Sequence, residues 1–78
     1  MGELKVMIFG QLEDITGTTE VLIPSVDSTT ALSEILYQKY PALQGRKFMI
    51  AINQKIVKGN AVIGQDAQIA LLPPFSGG

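Results

Sequence analysis

The chain has 78 residues, of which 46% are hydrophobic and 17% are charged, and its formal net charge is −1. These values are typical of one small globular domain. The sequence contains no Cys and no His, which excludes disulfides, thiolate metal sites, cysteine nucleophiles and Ser-His-Asp catalysis. We therefore expect no metal site and little independent catalysis. The near-neutral charge also argues against nucleic-acid binding.

No apolar run approaches the ~20 residues of a membrane-spanning helix. The longest interior run is Phe48 to Ile52, and the N-terminus lacks the basic and apolar segments of a secretory signal. We expect a cytoplasmic protein that does not enter a membrane.

The first half of the chain predicts a hairpin followed by a helix. Apolar residues alternate from Leu4 to Phe9, residues 10–18 have loop composition, and β-branched and aliphatic residues return at 19–23. Residues 27–30 supply four consecutive N-cap candidates, and Pro41 predicts a helix end near residue 40. The apolar stripe of this helix consists of Leu32, Ile35, Leu36 and Tyr40.

The second half predicts two or three more strands. Residues 48–53 alternate, Asn53-Gln54 is typical of a turn, residues 56–57 form a short strand, 58–66 a loop, and 68–72 the last strand. The order ββα followed by strands predicts an α+β fold with one main helix. We assign residues 1–72 to this domain and 73–78 to an extended tail.

One helix covers one face of such a sheet, yet both faces are apolar. Alternation places Leu4, Val6, Ile8, Ile50, Ile52, Ile69 and Leu71 on one face, and Met7, Phe9, Met49, Ala51, Ala70 and Leu72 on the other. An uncovered apolar face usually marks a partner interface, here predicted at Met7, Phe9, Ala70 and Leu72. Two alternatives stay open: loops 10–18 and 58–66 cover this face, or the alternation is shifted by one residue.

Other motifs carry little chemistry. Gly59 and Gly64 have phosphate-loop spacing but lack the Lys and Ser or Thr that must follow. Glu13-Asp14 are interpreted as solvated loop residues, and the same holds for the basic residues Arg46, Lys47, Lys55 and Lys58.

The C-terminal residues, Pro73 to Gly78, predict a tail with a chemical role. Pro73 and Pro74 end sheet pairing and favour an extended chain, Phe75 can fill an apolar pocket, and after Ser76 the glycines Gly77 and Gly78 pass through a narrow channel. The Gly78 carboxylate, ionised at neutral pH, needs activation, for instance as an acyl-adenylate, before sulfur can form a thiocarboxylate. A frayed terminus is the alternative.

Over its whole length the chain resembles the small subunit of molybdopterin synthase, a family of ubiquitin-like sulfur carriers. The resemblance includes Lys5–Gly10, Ile52–Gln54 and Ile69–Gly78, and the Pro-Pro-Phe-Ser-Gly-Gly ending is the most specific part. The resemblance implies a β-grasp fold, in which a mixed sheet packs on one main helix.

The resemblance also implies a function. A ubiquitin-activating-type enzyme would use ATP to adenylate Gly78, sulfur would be added as a thiocarboxylate, and the tail would enter the large synthase subunit of a heterotetramer. There the sulfur would pass to cyclic pyranopterin monophosphate to form molybdopterin. Gly78 would carry the sulfur, Gly77 would give clearance, and Phe9 and Leu72 would pack against partners, while the chain itself would bind no cofactor.

The sequence departs from the family in its first loop, where Glu13-Asp14 replace a basic residue followed by an acid. It also has Asp66 at a turn position usually occupied by Gly, which predicts a left-handed backbone there. Three alternative functions are a sulfur carrier for thiamine or cysteine synthesis, a ubiquitin-like protein modifier, and a non-catalytic β-grasp interaction module.

Overall fold

The computed structural model describes residues 2–74. In chain order its elements are strand β1 (Glu3–Ile8), helix α1 (Leu12–Thr16), strand β2 (Glu20–Pro24), helix α2 (Thr29–Lys39), a 3-10 helix (Pro41–Gly45), and strands β3 (Met49–Ile52), β4 (Lys55–Val57) and β5 (Ile69–Leu72). The strands form one five-stranded sheet in the order β2-β1-β5-β3-β4. The α+β fold with a mixed sheet and one main helix is confirmed.

The sheet combines two hairpins around a central strand. β1 pairs antiparallel with β2 and parallel with β5, while β3 pairs antiparallel with both β5 and β4. The turn between β3 and β4 has positive φ at Asn53 (52°) and Gln54 (72°), as a type I′ hairpin turn requires. The Asn53 side chain also accepts a hydrogen bond from the Gln68 backbone N–H at 2.9 Å, which ties this turn to the start of β5.

Helix α2 begins and ends where its sequence signals predict. Ser28 is the N-cap, and its Oγ accepts a hydrogen bond from the Ala31 N–H at 3.3 Å. The helix ends at Lys39 because Pro41 disfavours a helical conformation at Tyr40, whose N–H still bonds to the Leu36 carbonyl. The side chains of Leu32 and Leu36 are fully buried against the sheet.

The core lies between α2 and one face of the sheet. Its buried strand residues are Leu4, Val6, Ile8, Val21, Ile23, Ile69 and Leu71. Leu12, Leu43 and Ile63, from outside these strands and α2, join the same cluster. Loops 10–18 and 58–66 therefore contribute buried side chains to the helix side of the sheet.

The prediction of loop structure throughout residues 10–18 was wrong, because α1 occupies 12–16. Leu12 and Ile15 are spaced three residues apart and pack on the core, so one turn of helix buries both. Glu13 and Asp14 lie in its first turn, where negative charge is favourable, and Gly17 closes it in the left-handed conformation at φ 75°.

The expected left-handed backbone at Asp66 was also wrong. Among residues 2–74, the non-glycine residues with positive φ are Asn53 and Gln54, so the turn before β5 forms without that conformation. The described part of the chain contains no helix long and apolar enough to cross a membrane.

Candidate functional site

The tail leaves the sheet from its central strand. β5 ends at Leu72, and Pro73 and Pro74 follow directly. The Phe9 N–H donates a hydrogen bond to the Leu71 carbonyl at 3.1 Å, so pairing between the ends of β1 and β5 continues almost to the tail. Pro73 is half-buried and Pro74 is exposed; the first tail residue is thus fixed against the domain and the second projects from it.

Gly10 forms the surface against which Pro73 packs. A Cβ placed on Gly10 would lie 2.8 Å from Cγ and 3.3 Å from Cδ of the Pro73 ring, and the first of these is closer than a carbon–carbon contact allows. Gly10 also has a φ of +60°, which favours glycine. A side chain at position 10 would therefore both collide with Pro73, the first residue of the tail, and strain the local backbone.

A small cavity with basic residues lies at the exit of the tail. It has a volume of about 170 Å³ and is lined by Pro73 and Pro74, by the start of α1 and by the segment before β3; its other lining residues are Gln11, Leu12, Ile15, Arg46 and Lys47. The charged residues of this lining are the cations Arg46 and Lys47. The acidic pair of α1, Glu13 and Asp14, is not part of the lining, and Asp14 is exposed.

The sheet face opposite α2 is apolar and uncovered within residues 2–74. The strand registers confirm the predicted alternation, since Met7 pairs with Ala70, Ala70 with Ala51, and Leu72 with Met49. The alternative of a shift by one residue is therefore wrong. Leu12 and Ile63 of the two long loops belong to the core, while Met7 and Phe9 stay 37% and 43% exposed, so the alternative that the loops cover this face is wrong as well.

The four predicted interface residues lie together on or beside this face. Met7 is 37% and Phe9 43% exposed, and Ala70 and Leu72 are half-buried. Leu72 immediately precedes Pro73, so the face runs without interruption into the tail. Ala51, also predicted on this face, is buried; it lies in a central position, paired with Ala70 on one side and with Ile56 on the other.

Two exposed residues of the face were missed in the sequence reading. Leu22 is 51% and Ile56 45% exposed, and their registers opposite Lys5 and Ala51 place them on the same side as Met7. Their positions follow from the pairing of β1 with β2 and of β3 with β4, which can be predicted once the connection within each hairpin has been located. Lys5 Nζ lies 3.2 Å from a Glu20 carboxylate oxygen. Because Lys5 pairs with Leu22 and Glu20 with Met7, this ion pair lies on the same face, between these two apolar residues.

The remaining predicted site residues, Phe75, Ser76, Gly77 and Gly78, lie outside the described residues. Within residues 2–74 no group of three or more Asp or Glu side chains is placed to hold a metal ion. No buried side-chain nitrogen or oxygen there lacks a hydrogen-bond partner. The described part of the site thus consists of an open apolar face and the exit of the tail.

Comparison with known proteins connects this arrangement to a family. The sequence profile of the ThiS family matches residues 6–78. The chain is 31% identical over 84 aligned positions to the molybdopterin synthase sulfur carrier subunit of Caenorhabditis briggsae, and the alignment covers 100% of both proteins.

Two solved structures extend the comparison. The small archaeal modifier protein SAMP1 from Methanosarcina acetivorans is 28% identical with a TM-score of 0.78, covering 100% of this chain and 98% of that one. A chain in the complex of subunits 1 and 2 of molybdopterin-converting factor from Helicobacter pylori is 25% identical with a TM-score of 0.71, covering 99% of this chain and 100% of that one. These similarities confirm the ubiquitin-like β-grasp fold.

Proposed function

This chain belongs to the ThiS family, and we propose that it is the sulfur-carrier subunit of a molybdopterin synthase. The proposal draws on the name of its full-length relative and on one structural observation. The open apolar face continues directly into the exit of the tail through Leu72 and Pro73. A partner that binds the face would therefore receive the tail at the same time.

The chemistry proposed for the tail takes place at the Gly78 carboxylate. This carboxylate would attack the α-phosphorus of ATP in an activating enzyme, releasing pyrophosphate and forming an acyl-adenylate. A sulfur nucleophile would then displace AMP, leaving a thiocarboxylate on Gly78. ATP is thus a substrate of the activating partner, and the chain acts as a co-substrate without a bound cofactor of its own.

The catalytic groups for sulfur transfer would belong to the large synthase subunit. This chain has no His and no Cys, the residue types that most often act as general bases and nucleophiles. In the large subunit the thiocarboxylate sulfur would attack cyclic pyranopterin monophosphate, and water would hydrolyse the resulting thioester, leaving the sulfur on the pterin and releasing Gly78 as a carboxylate. Two such transfers would supply the two sulfurs of molybdopterin. The cytoplasmic location expected from the sequence stays a prediction.

The docking role of the apolar face is tested with one charge substitution and a matched control. Met7→Lys introduces a cation into the centre of the proposed interface, whereas Val62→Lys changes an exposed apolar residue, 82% accessible, in the loop after β4. We expect Met7→Lys to weaken binding of the purified large subunit by at least about tenfold, and Val62→Lys to leave it unchanged. Equal affinities for the two variants would contradict the docking role.

A second candidate function is that of a protein modifier, favoured by the similarity to the archaeal modifier protein SAMP1. A modifier would form an amide bond from Gly78 to a lysine of a target protein. The two functions are distinguished by supplying the thiocarboxylated chain with the large subunit and cyclic pyranopterin monophosphate. Production of molybdopterin with regeneration of the carboxylate supports the carrier, whereas the absence of product, together with lysine conjugates in a cell extract, supports the modifier.

A further inference from the structure

A second groove adjoins the tail exit, on the side away from α1. It has a volume of about 620 Å³ and runs from Pro74 past the start of β3 to β4 and α2. Its lining includes the aromatic rings of Tyr37 and Phe48, which meet edge to face with centroids 6.1 Å apart. β4 is the last strand at this edge of the sheet, so no further strand closes the groove.

The charged residues that line this groove are all basic. Arg46, Lys47 and Lys58 line it, three of the six basic residues of the chain, and no Asp or Glu is among its lining residues. Within residues 2–74 the ion pair that forms is Lys5 with Glu20, so none of the three groove cations is paired with a described carboxylate. The chain as a whole has a net charge of −1, so the concentration of cations in this groove is a local feature. Such a groove favours a negatively charged partner.

We propose that this groove binds an acidic stretch of the large synthase subunit, whose carboxylates pair with Arg46, Lys47 and Lys58. The inference rests on the proposed function and names a contact that adjoins the apolar face, because Met49 and Ile56 of that face also line the groove. Pro74 belongs to the groove lining, so a carboxylate-bearing segment seated there lies beside the inserted tail.

Paired substitutions with the same change in charge test the contact. Arg46→Gln/Lys58→Gln removes two groove cations, whereas Lys39→Gln/Lys55→Gln removes two exposed cations outside the groove lining. Binding of the purified large subunit is measured by calorimetry at low and high salt. We expect the groove variant to bind about tenfold more weakly at low salt and to lose most of its salt dependence, while the control variant retains the affinity of the unsubstituted chain.

Carbodiimide cross-linking of the complex supplies an independent readout, because this reagent joins lysine amines to nearby carboxylates. We expect Lys47 and Lys58 to be joined to Asp or Glu of the large subunit, and Lys39 and Lys55 to remain unmodified. Thermal unfolding of each variant shows whether its fold is intact, since the loss of an exposed charge changes the stability of a fold little.

The outcomes separate the two proposals. If the unsubstituted chain binds the large subunit but the groove variant binds equally well, or the cross-links fall on Lys39 or Lys55, the groove contact is refuted and the proposed function is untouched. If the unsubstituted chain does not bind the large subunit at all, the proposed function fails and the groove contact fails with it.

Discussion

Substitution of Gly10 by Ala tests whether the packing of one glycine against Pro73 directs the tail. The change has two costs. At a φ of +60° an Ala is in the left-handed region, which costs about 1–2 kcal/mol. The new Cβ would also lie 2.8 Å from Pro73 Cγ, and relieving such overpacking typically costs about 1–3 kcal/mol more.

Two other glycines serve as matched controls. Gly17 and Gly59 also have positive φ, +75° and +67°, but no atom lies within 4 Å of a Cβ placed on either. Gly17→Ala and Gly59→Ala therefore carry the conformational cost alone, about 1–2 kcal/mol. For a domain of this size each kcal/mol lowers Tm by roughly 4–8 °C.

The assay combines denaturant unfolding with sulfur transfer for Gly10→Ala, the controls, and the double variant Gly10→Ala/Pro73→Ala. We expect Gly10→Ala to lose more stability than the controls or, if the proline ring moves instead, to lose transfer activity while Gly17→Ala keeps it. Gly59 lines the groove described above, so Gly59→Ala is a control for stability alone. Removing the Pro73 ring should recover part of the loss, with a coupling of about 0.5–3 kcal/mol. Strict additivity, together with normal transfer by Gly10→Ala, would refute the directing role of this contact.

Three further substitutions probe the scaffold. Gln54→Gly relieves a φ of 72°, and we expect a gain of about 1 kcal/mol in denaturant unfolding. Thr29→Val removes a buried hydroxyl that accepts the Ala61 N–H at 2.9 Å, so we expect calorimetric unfolding to show a loss of about 1–3 kcal/mol; no loss would contradict this role. Lys5→Gln breaks an ion pair whose Lys5 side chain is 60% exposed, and the unfolding free energy should change by less than about 1 kcal/mol.

Much of the fold could be predicted because its signals are local. Alternation identified the strands, Pro41 marked the end of α2, and Asn53-Gln54 marked the tight turn. Helix α1 was missed because one turn has too few residues for a periodic pattern. Its formation depends on the burial of Leu12 and Ile15 against a core that assembles from the whole chain.

The site was predictable to the extent that it depends on alternation and on the tail. Met7 and Leu72 were placed on the open face by the alternation of side chains along their strands. The contact of Gly10 with Pro73 and the grouping of Arg46 with Lys58 join residues distant in sequence. The parallel pairing of β5 with β1 brings Pro73 to Gly10, and a single sequence does not give that strand order. The β3–β4 hairpin brings Lys58 near the segment before β3 that contains Arg46.

The most direct measurement of the central claim is the intact mass of the chain after incubation with a matching activating enzyme, ATP and a sulfur donor. A chain lacking Gly78 is the control, and a second carrier known to be a substrate verifies the enzyme. We predict that the full chain gains the mass difference between sulfur and oxygen and that the shortened chain does not. An unchanged mass for the full chain, with the enzyme active on the second carrier, would contradict the assignment of Gly78 as the sulfur-carrying residue.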